Sequence, residues 1–264
     1  MLPIEIGVIG GSGNYDPTFM KDPMELKVHT PYGAPSDHFI IGYVKDRKVA
    51  FLARHGRGHV IPPHKINFRA NIWGFNTLGV TRLLSPGACG SLQPDEIDVG
   101  DFVICDQVFD RTFGQRADTF FEGGVVTHIP FAHPFCDELR SVVFNTGKNL
   151  GLKCHPKGTY VCINGPRFST SAESRFYQSQ KFSVVGMTVY PECILAREAE
   201  ICYTSIAMAT DKDVYGEEPV DIAEIIRVVT QNVDNARKLV FETIPKIPKT
   251  RSCECGKALE TSMI

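Results

Sequence analysis

Short apolar runs, broken by Gly, Pro and Asp, alternate along this chain with stretches of helical period. Strands are expected over residues 5–9, where the chain runs into a glycine cluster, and over 27–30, 39–44 and 49–53. Residues 65–78 carry Ile66, Ala70, Trp73 and Leu78 at helical spacing. A strand over 82–85, a loop over 86–91 and a strand over 102–107 follow. Residues 134–150 read as a helix with Cys136, Leu139, Val143 and Leu150 on one side, ended by Gly151. Strands at 158–163 and 184–187 and helices at 171–180 and 191–202 lead to a strand ending in Asp211. A long amphipathic helix over 220–242 opens at Asp221. This alternation, without internal repeats, predicts a single α/β domain over residues 1–245, with a central mixed β-sheet flanked by helices. The tail, 246–264, has little periodicity and is expected to be an extended or partner-packed end.

The 264 residues are enough for a substantial core, and 43% hydrophobic with 22% charged residues suits a soluble globular enzyme. A net charge of −2 gives no electrostatic footprint for nucleic acid or an anionic membrane, so neither is expected as a partner. No stretch approaches the roughly 20 apolar residues of a membrane span. Met1-Leu2-Pro3-Ile4-Glu5 lacks the basic region of a signal peptide, which points to the cytoplasm. The nine cysteines are accordingly expected to be reduced, small core residues. Cys253-Glu254-Cys255 is the exception. A structural metal needs about four ligands, and no second cysteine or histidine pair lies near it in sequence, so no metal is expected. A local disulfide or a cross-link to the body would fit a hyperthermophile.

Four fragments carry candidate chemistry. Residues 6–13 are a strand feeding Gly10-Gly11-Ser12-Gly13, whose backbone N–H groups and Ser12 hydroxyl suit an anion. The dinucleotide fingerprint fails at Asp16, the nucleophile elbow fails at Asn14, and no P-loop lysine follows. A plain tight turn explains this loop equally well by itself. Arg54-His55-Gly56 closes a strand and offers a fork-shaped cation beside a donor, suited to phosphate. His55, His59 and His64 are not at helical ligand spacing, because Gly56, Gly58 and Pro62-Pro63 break any helix there. Gly87-Ala88-Cys89-Gly90-Ser91 again presents backbone N–H groups after a strand. In Thr210-Asp211-Lys212-Asp213 two carboxylates two residues apart share one side of an extended chain at a strand's carboxyl end. An Asx turn that only ends the strand is the alternative.

These fragments, in this order, resemble the trimeric nucleoside phosphorylase family. Arg69-Ala70-Asn71-Ile72-Trp73, Ala88-Cys89-Gly90-Ser91-Leu92, Gly165-Pro166-Arg167-Phe168-Ser169 and Gly186-Met187-Thr188 extend the likeness from about Ile4 to Pro245. The resemblance implies a nucleoside phosphorylase-like fold and phosphorolysis of 5′-methylthioadenosine to adenine and 5-methylthioribose 1-phosphate. Inosine, guanosine and adenosine are the alternative substrates. It assigns phosphate to Ser12, Arg54, His55, Thr188 and the Gly87-Ala88 backbone. Met187 would pack on the ribose and Phe168 on the purine. Asp211 and Asp213, with Lys212 between them, would face the base edge near N7 and the 6-amino group. His128 would lie near the 5′ substituent, donated across a subunit boundary, and Ser169 and Ile222 would set selectivity. A homotrimer would bury Phe120-Phe121 and Ile129-Pro130-Phe131 as interface. Inorganic phosphate is the co-substrate, and neither metal nor organic cofactor is implied. Three positions depart from the family pattern: Gly87 replaces a hydroxyl residue, Asn164 a glutamate and Lys212 an aromatic.

The residue chemistry agrees. Cleavage of an N-glycosidic bond passes through an oxocarbenium-like sugar, which a phosphate dianion can stabilise and then capture. The leaving purine needs a proton at N7, and a partly buried aspartate beside a like charge suits that role. Asp211 is therefore the candidate acid, with Asp213 orienting it or accepting from a 6-amino group, which disfavours 6-oxopurines. Gly87 and Asn164 leave open a nucleoside-binding protein without catalysis. A hydrolase using water would leave Arg54, His55 and Thr188 with no anion to bind.

Overall fold

The computed structural model describes residues 4–11, 20–213, 222–260 and 262–263. Strand β1 (Ile6–Gly10) is buried throughout, between parallel neighbours β4 (Arg47–Ala53) and β5 (Arg82–Ser91). Beyond β4 the sheet continues antiparallel through β3 (Phe39–Val44) to β2 (Lys21–Leu26). On its other edge β5 runs parallel to β11 (Cys202–Asp211), which is antiparallel to β6 (Phe102–Ile104), and β6 pairs β8 (Cys154–His155). The end of β5 turns to β10 (Val184–Gly186), antiparallel, followed in parallel by β9 (Thr159–Ile163) and β7 (Gln107–Arg111). The result is the mixed central sheet expected from sequence, with eleven strands among the described residues.

Alternation along the central strands sorts side chains to two cores. Ile9, Ala50, Leu52 and Leu83 join Ile72 and Phe75 of α1 (Phe68–Thr77) and Leu195 of α4 (Val189–Glu198). Ile6, Val8, Val49, Phe51 and Leu84 face the opposite way, with Leu139 of α2 (Asp137–Asn149) and Leu239 of α5 (Ile222–Thr243). Helices thus cover both faces of the parallel strands, as such strands require. α3 (Ser171–Ser179) starts at a capping box formed by Thr170 and Glu173.

Three local expectations change. The second strand is 21–26, not 27–30. The expected strand at 102–107 is two, because Asp106 exchanges hydrogen bonds with Gly158 (2.8 and 3.2 Å) and redirects the chain from β11 towards β9. The expected loop at 86–91 is strand, because β11 stays paired along it as far as Gly90. The tail is packed rather than extended. Arg47 and Arg82 donate to the carbonyls of Ile247 (2.7 Å) and Pro248 (3.1 Å), and Arg251 donates to that of Glu200 (2.7 Å). Phe120 and Phe131, expected at a subunit interface, are partly buried against the core of their own chain. Among the described residues no helix is long and apolar enough to cross a membrane.

Candidate functional site

The parallel strands β1, β4, β5 and β11 end side by side, which brings Gly10-Gly11, Arg54-His55, Gly87-Ala88 and Asp211 to one edge of the sheet. The edge has a built-in opening. On one side the β5–β1 ladder runs through Leu84, with one further bond from the Gly11 N–H to Pro86 O (3.2 Å), and pairing with β10 begins at Gly90, so residues 87–89 have no strand partner there among the described residues. Gly87 and Ala88 are the only residues of β5 that are not buried. Backbone polar groups left unpaired at such a strand divergence are what open α/β sheets offer to ligands.

Arg54 lies behind this opening, 1% exposed. Nε donates to Glu192 Oε2 (2.7 Å), and Nη2 to Glu192 Oε1 (3.0 Å), Ile9 O (3.0 Å) and Ser85 Oγ (2.5 Å). Tyr203 Oη closes the network on Glu192 and Ser85. The two-pronged grip expected of Arg54 on phosphate is therefore directed at Glu192. Nη1 is the nitrogen turned to the opening: a Cβ on Gly11 would sit 2.9 Å from it and one on Gly87 3.8 Å. Gly11 is thus required by close approach, and Glu192, buried in the first turn of α4, carried no signal in the sequence.

His55 is also buried, its ring stacked on His59 at 4.1 Å, and Nδ1 lies 2.9 Å from Ile61 O. A carbonyl only accepts, so Nδ1 carries the proton and Nε2 is an acceptor. Burial, then the Arg54 charge, pushes the His55 pKa down to about 3. The expected donor is therefore a neutral ring that receives a hydrogen bond. Thr188 caps α4 without a side-chain cap bond, which leaves its hydroxyl for another acceptor at a helix N-terminus.

Asp211 ends β11 after a register shift between Ala209 and Asp211, and Asp213 sits at φ 47°. The two are therefore not related by simple strand alternation. Instead the Asp213 backbone N–H donates to Asp211 Oδ2 (3.1 Å) and Thr210 Oγ1 to Oδ1 (2.9 Å), an Asx turn. Both still converge on one spot, since a Cβ on Gly90 would meet Asp211 Oδ2 at 2.9 Å and Asp213 Cβ at 3.3 Å. Burial raises the Asp211 pKa against those two hydrogen bonds, so desolvation rather than a like charge does the work anticipated. Lys212, between them, pairs with Asp98 (3.4 Å) rather than with either aspartate of the cluster.

Arg116, unmarked in the sequence, is 7% exposed and organises the neighbouring loops. It donates to Asn164 Oδ1 (3.1 Å) and to the carbonyls of Asn164 (2.7 Å), Met187 (2.8 Å) and Tyr190. Asn164 is thereby a structural acceptor. Gly165, at φ 66°, has Met187 Sδ 2.6 Å from where a Cβ would be, so only glycine fits. Phe168 is exposed at the end of this loop, and the buried Ser169 Oγ has no partner among the described residues. His128 lies apart, on an exposed loop whose backbone N–H donates to Ser262 O (2.8 Å). Ser12 falls outside the described residues, and of Ile222 only the backbone is placed, opening α5.

Comparison with known proteins gives the same picture. The model of the phosphorylase superfamily matches residues 5–245. An S-methyl-5′-thioadenosine phosphorylase of Thermofilum pendens is 50% identical over all of both chains, and one of Nitrosopumilus maritimus 51% over 97% of each. A probable 6-oxopurine nucleoside phosphorylase of Dictyoglomus turgidum is 48% identical over 97% of each. A methylthioadenosine phosphorylase of Schistosoma mansoni, solved with adenine, superposes with TM-score 0.91 at 36% identity, covering 97% of this chain and 96% of that one. The chain belongs to the phosphorylase superfamily.

Proposed function

We propose that this phosphorylase-superfamily chain splits 5′-methylthioadenosine with inorganic phosphate into adenine and 5-methylthioribose 1-phosphate. The observation that carries the reading is the pairing of two chemistries along one strand. Arg54 Nη1 faces Gly11 and Gly87, and the raised-pKa Asp211 packs against Gly90, three residues further along β5. That span, roughly 10 Å of strand, suits a phosphate at one end and a purine at the other, with the sugar between.

Phosphate in the opening is held by Arg54 Nη1 and by backbone N–H groups, with the Thr188 hydroxyl and Ser12 completing its shell. His55, neutral, accepts from a protonated phosphate oxygen. As the C1′–N9 bond breaks, its electron pair goes to the purine, and a phosphate oxygen closes on C1′. Asp211 gives its proton to N7 and is reprotonated from solvent. Asp213 accepts from the 6-amino group, Met187 and Phe168 pack on ribose and base, and Ser169 Oγ has its partner in the substrate. Protein groups hold the phosphate, so it is the only co-substrate the reading needs.

The exposed His128 loop, with Val125, Val126 and Met263 also exposed, supports a homotrimer in which His128 reaches a neighbour's 5′ pocket. Cys89, Cys105, Cys162 and Cys193, buried in the body as thiols, support a cytoplasmic setting. The test uses ¹⁸O-labelled phosphate with 5′-methylthioadenosine. The label should appear in the sugar phosphate at C1′; free 5-methylthioribose as product would make the protein a hydrolase.

A further inference from the structure

We propose that Cys136, Cys202, Cys253 and Cys255 form a tetrathiolate site for a soft divalent cation of the zinc type, which staples the C-terminal tail to the body. The tail's cysteine pair, isolated in sequence, meets a second pair in the fold. Cys136 precedes α2, Cys202 opens β11, and Cys253 and Cys255 flank the start of a 3-10 turn at Glu254–Lys257.

The four sulfurs lie within 4.8 Å of one another, and Cys202 Sγ is 3.3 Å from Cys253 Sγ. A zinc–sulfur bond of about 2.3 Å in tetrahedral geometry places sulfurs about 3.8 Å apart, so small shifts close the cluster around an ion. Cys136, Cys202 and Cys255 are buried and Cys253 is half-buried, as a closed structural site requires.

The surroundings are arranged for anionic sulfur. Arg197 Nη1 is 3.7 Å from Cys255 Sγ, and the Leu139 backbone N–H at the start of α2 donates to Cys136 Sγ (3.5 Å). Neutral thiols packed as core residues need neither a cation nor an N–H donor. All-sulfur, four-coordinate geometry selects zinc over harder cations. A cleft of about 820 Å³ lined by His133, Arg197, Cys253 and Cys255 gives an ion access from solvent.

The staple has a consequence for the tail, whose Ser262 carbonyl holds the loop of His128. The experiment measures metal in the full chain purified under reducing conditions, by mass spectrometry of the elements. The expected result is one zinc per chain, retained on gel filtration. It should be lost completely in the double variant Cys253→Ser, Cys255→Ser, with a lower Tm and unchanged kcat. Should that variant fail to fold, wild-type chain stripped and reloaded with Co²⁺ gives the same answer through the absorption bands of a tetrahedral tetrathiolate. Metal-free protein with four titratable thiols at these positions overturns the proposal. So does an intact mass short of four hydrogens, which would show two disulfides, or zinc retained by the double variant.

Discussion

Glu192 holds Arg54 from behind: its Oε2 lies 2.7 Å from Nε, with both side chains almost completely buried. This contact fixes which nitrogen of the guanidinium faces the opening at Gly11 and Gly87. Removing one member of such a pair leaves an uncompensated buried charge, at about 3–5 kcal/mol. Glu192→Ala should therefore unfold at lower denaturant by that amount and raise the KM for phosphate. Glu192→Gln keeps the acceptor oxygen and should lose less of both. An unchanged phosphate KM in a folded Glu192→Ala protein would show that Arg54 does not depend on this partner.

Burial raises the Asp211 pKa, so the protonated acid persists further into the working pH range than an exposed aspartate would. Activity that depends on this proton is present below the raised pKa and falls as pH rises through it. Asp211→Asn should lower kcat/KM for 5′-methylthioadenosine by about 10²–10⁴-fold and remove that alkaline limb. A variant that keeps the wild-type pH profile would assign the proton to another group.

His55 makes the opposite demand on stability. The unfolded ring titrates near 6.5 and the folded one at about 3, so below 6.5 the unfolded chain takes up a proton that the folded one refuses. Stability should be full above pH 6.5 and decline as pH falls towards 3. His55→Gln should flatten that acid limb in a series of thermal melts, even where it weakens phosphate binding. A limb of unchanged slope would mean that the ring is more hydrated than its burial implies.

Gly87 has room for a side chain, since a Cβ there would meet only Arg54 Nη1, at 3.8 Å, and its φ is not positive. Gly87→Ser should add a hydroxyl donor beside the phosphate. One hydrogen bond of about 0.5–1.5 kcal/mol predicts a phosphate KM lower by up to roughly tenfold. A higher KM would place the anion elsewhere.

Most strands and helices were legible because apolar runs and breakers mark them directly. β5 was not: Pro86, Gly87 and Gly90 read as breakers, while β11 keeps them extended along one edge and leaves the other open. The aspartate pair is legible as two carboxylates at a strand end, but not through alternation, because Asp213 lies beyond β11 at φ 47°; Gly90 still brings both side chains together. Glu192 and Arg116 were invisible, because a buried ion looks in sequence like any surface charge until its partner is placed. The four-cysteine cluster was hidden for the same reason: its members come from three distant elements.

The central claim is most directly tested by adenine release from 5′-methylthioadenosine with and without phosphate, beside an equal concentration of inosine. The account predicts release that requires phosphate and is faster from 5′-methylthioadenosine. Release independent of phosphate, or faster cleavage of inosine, would contradict it.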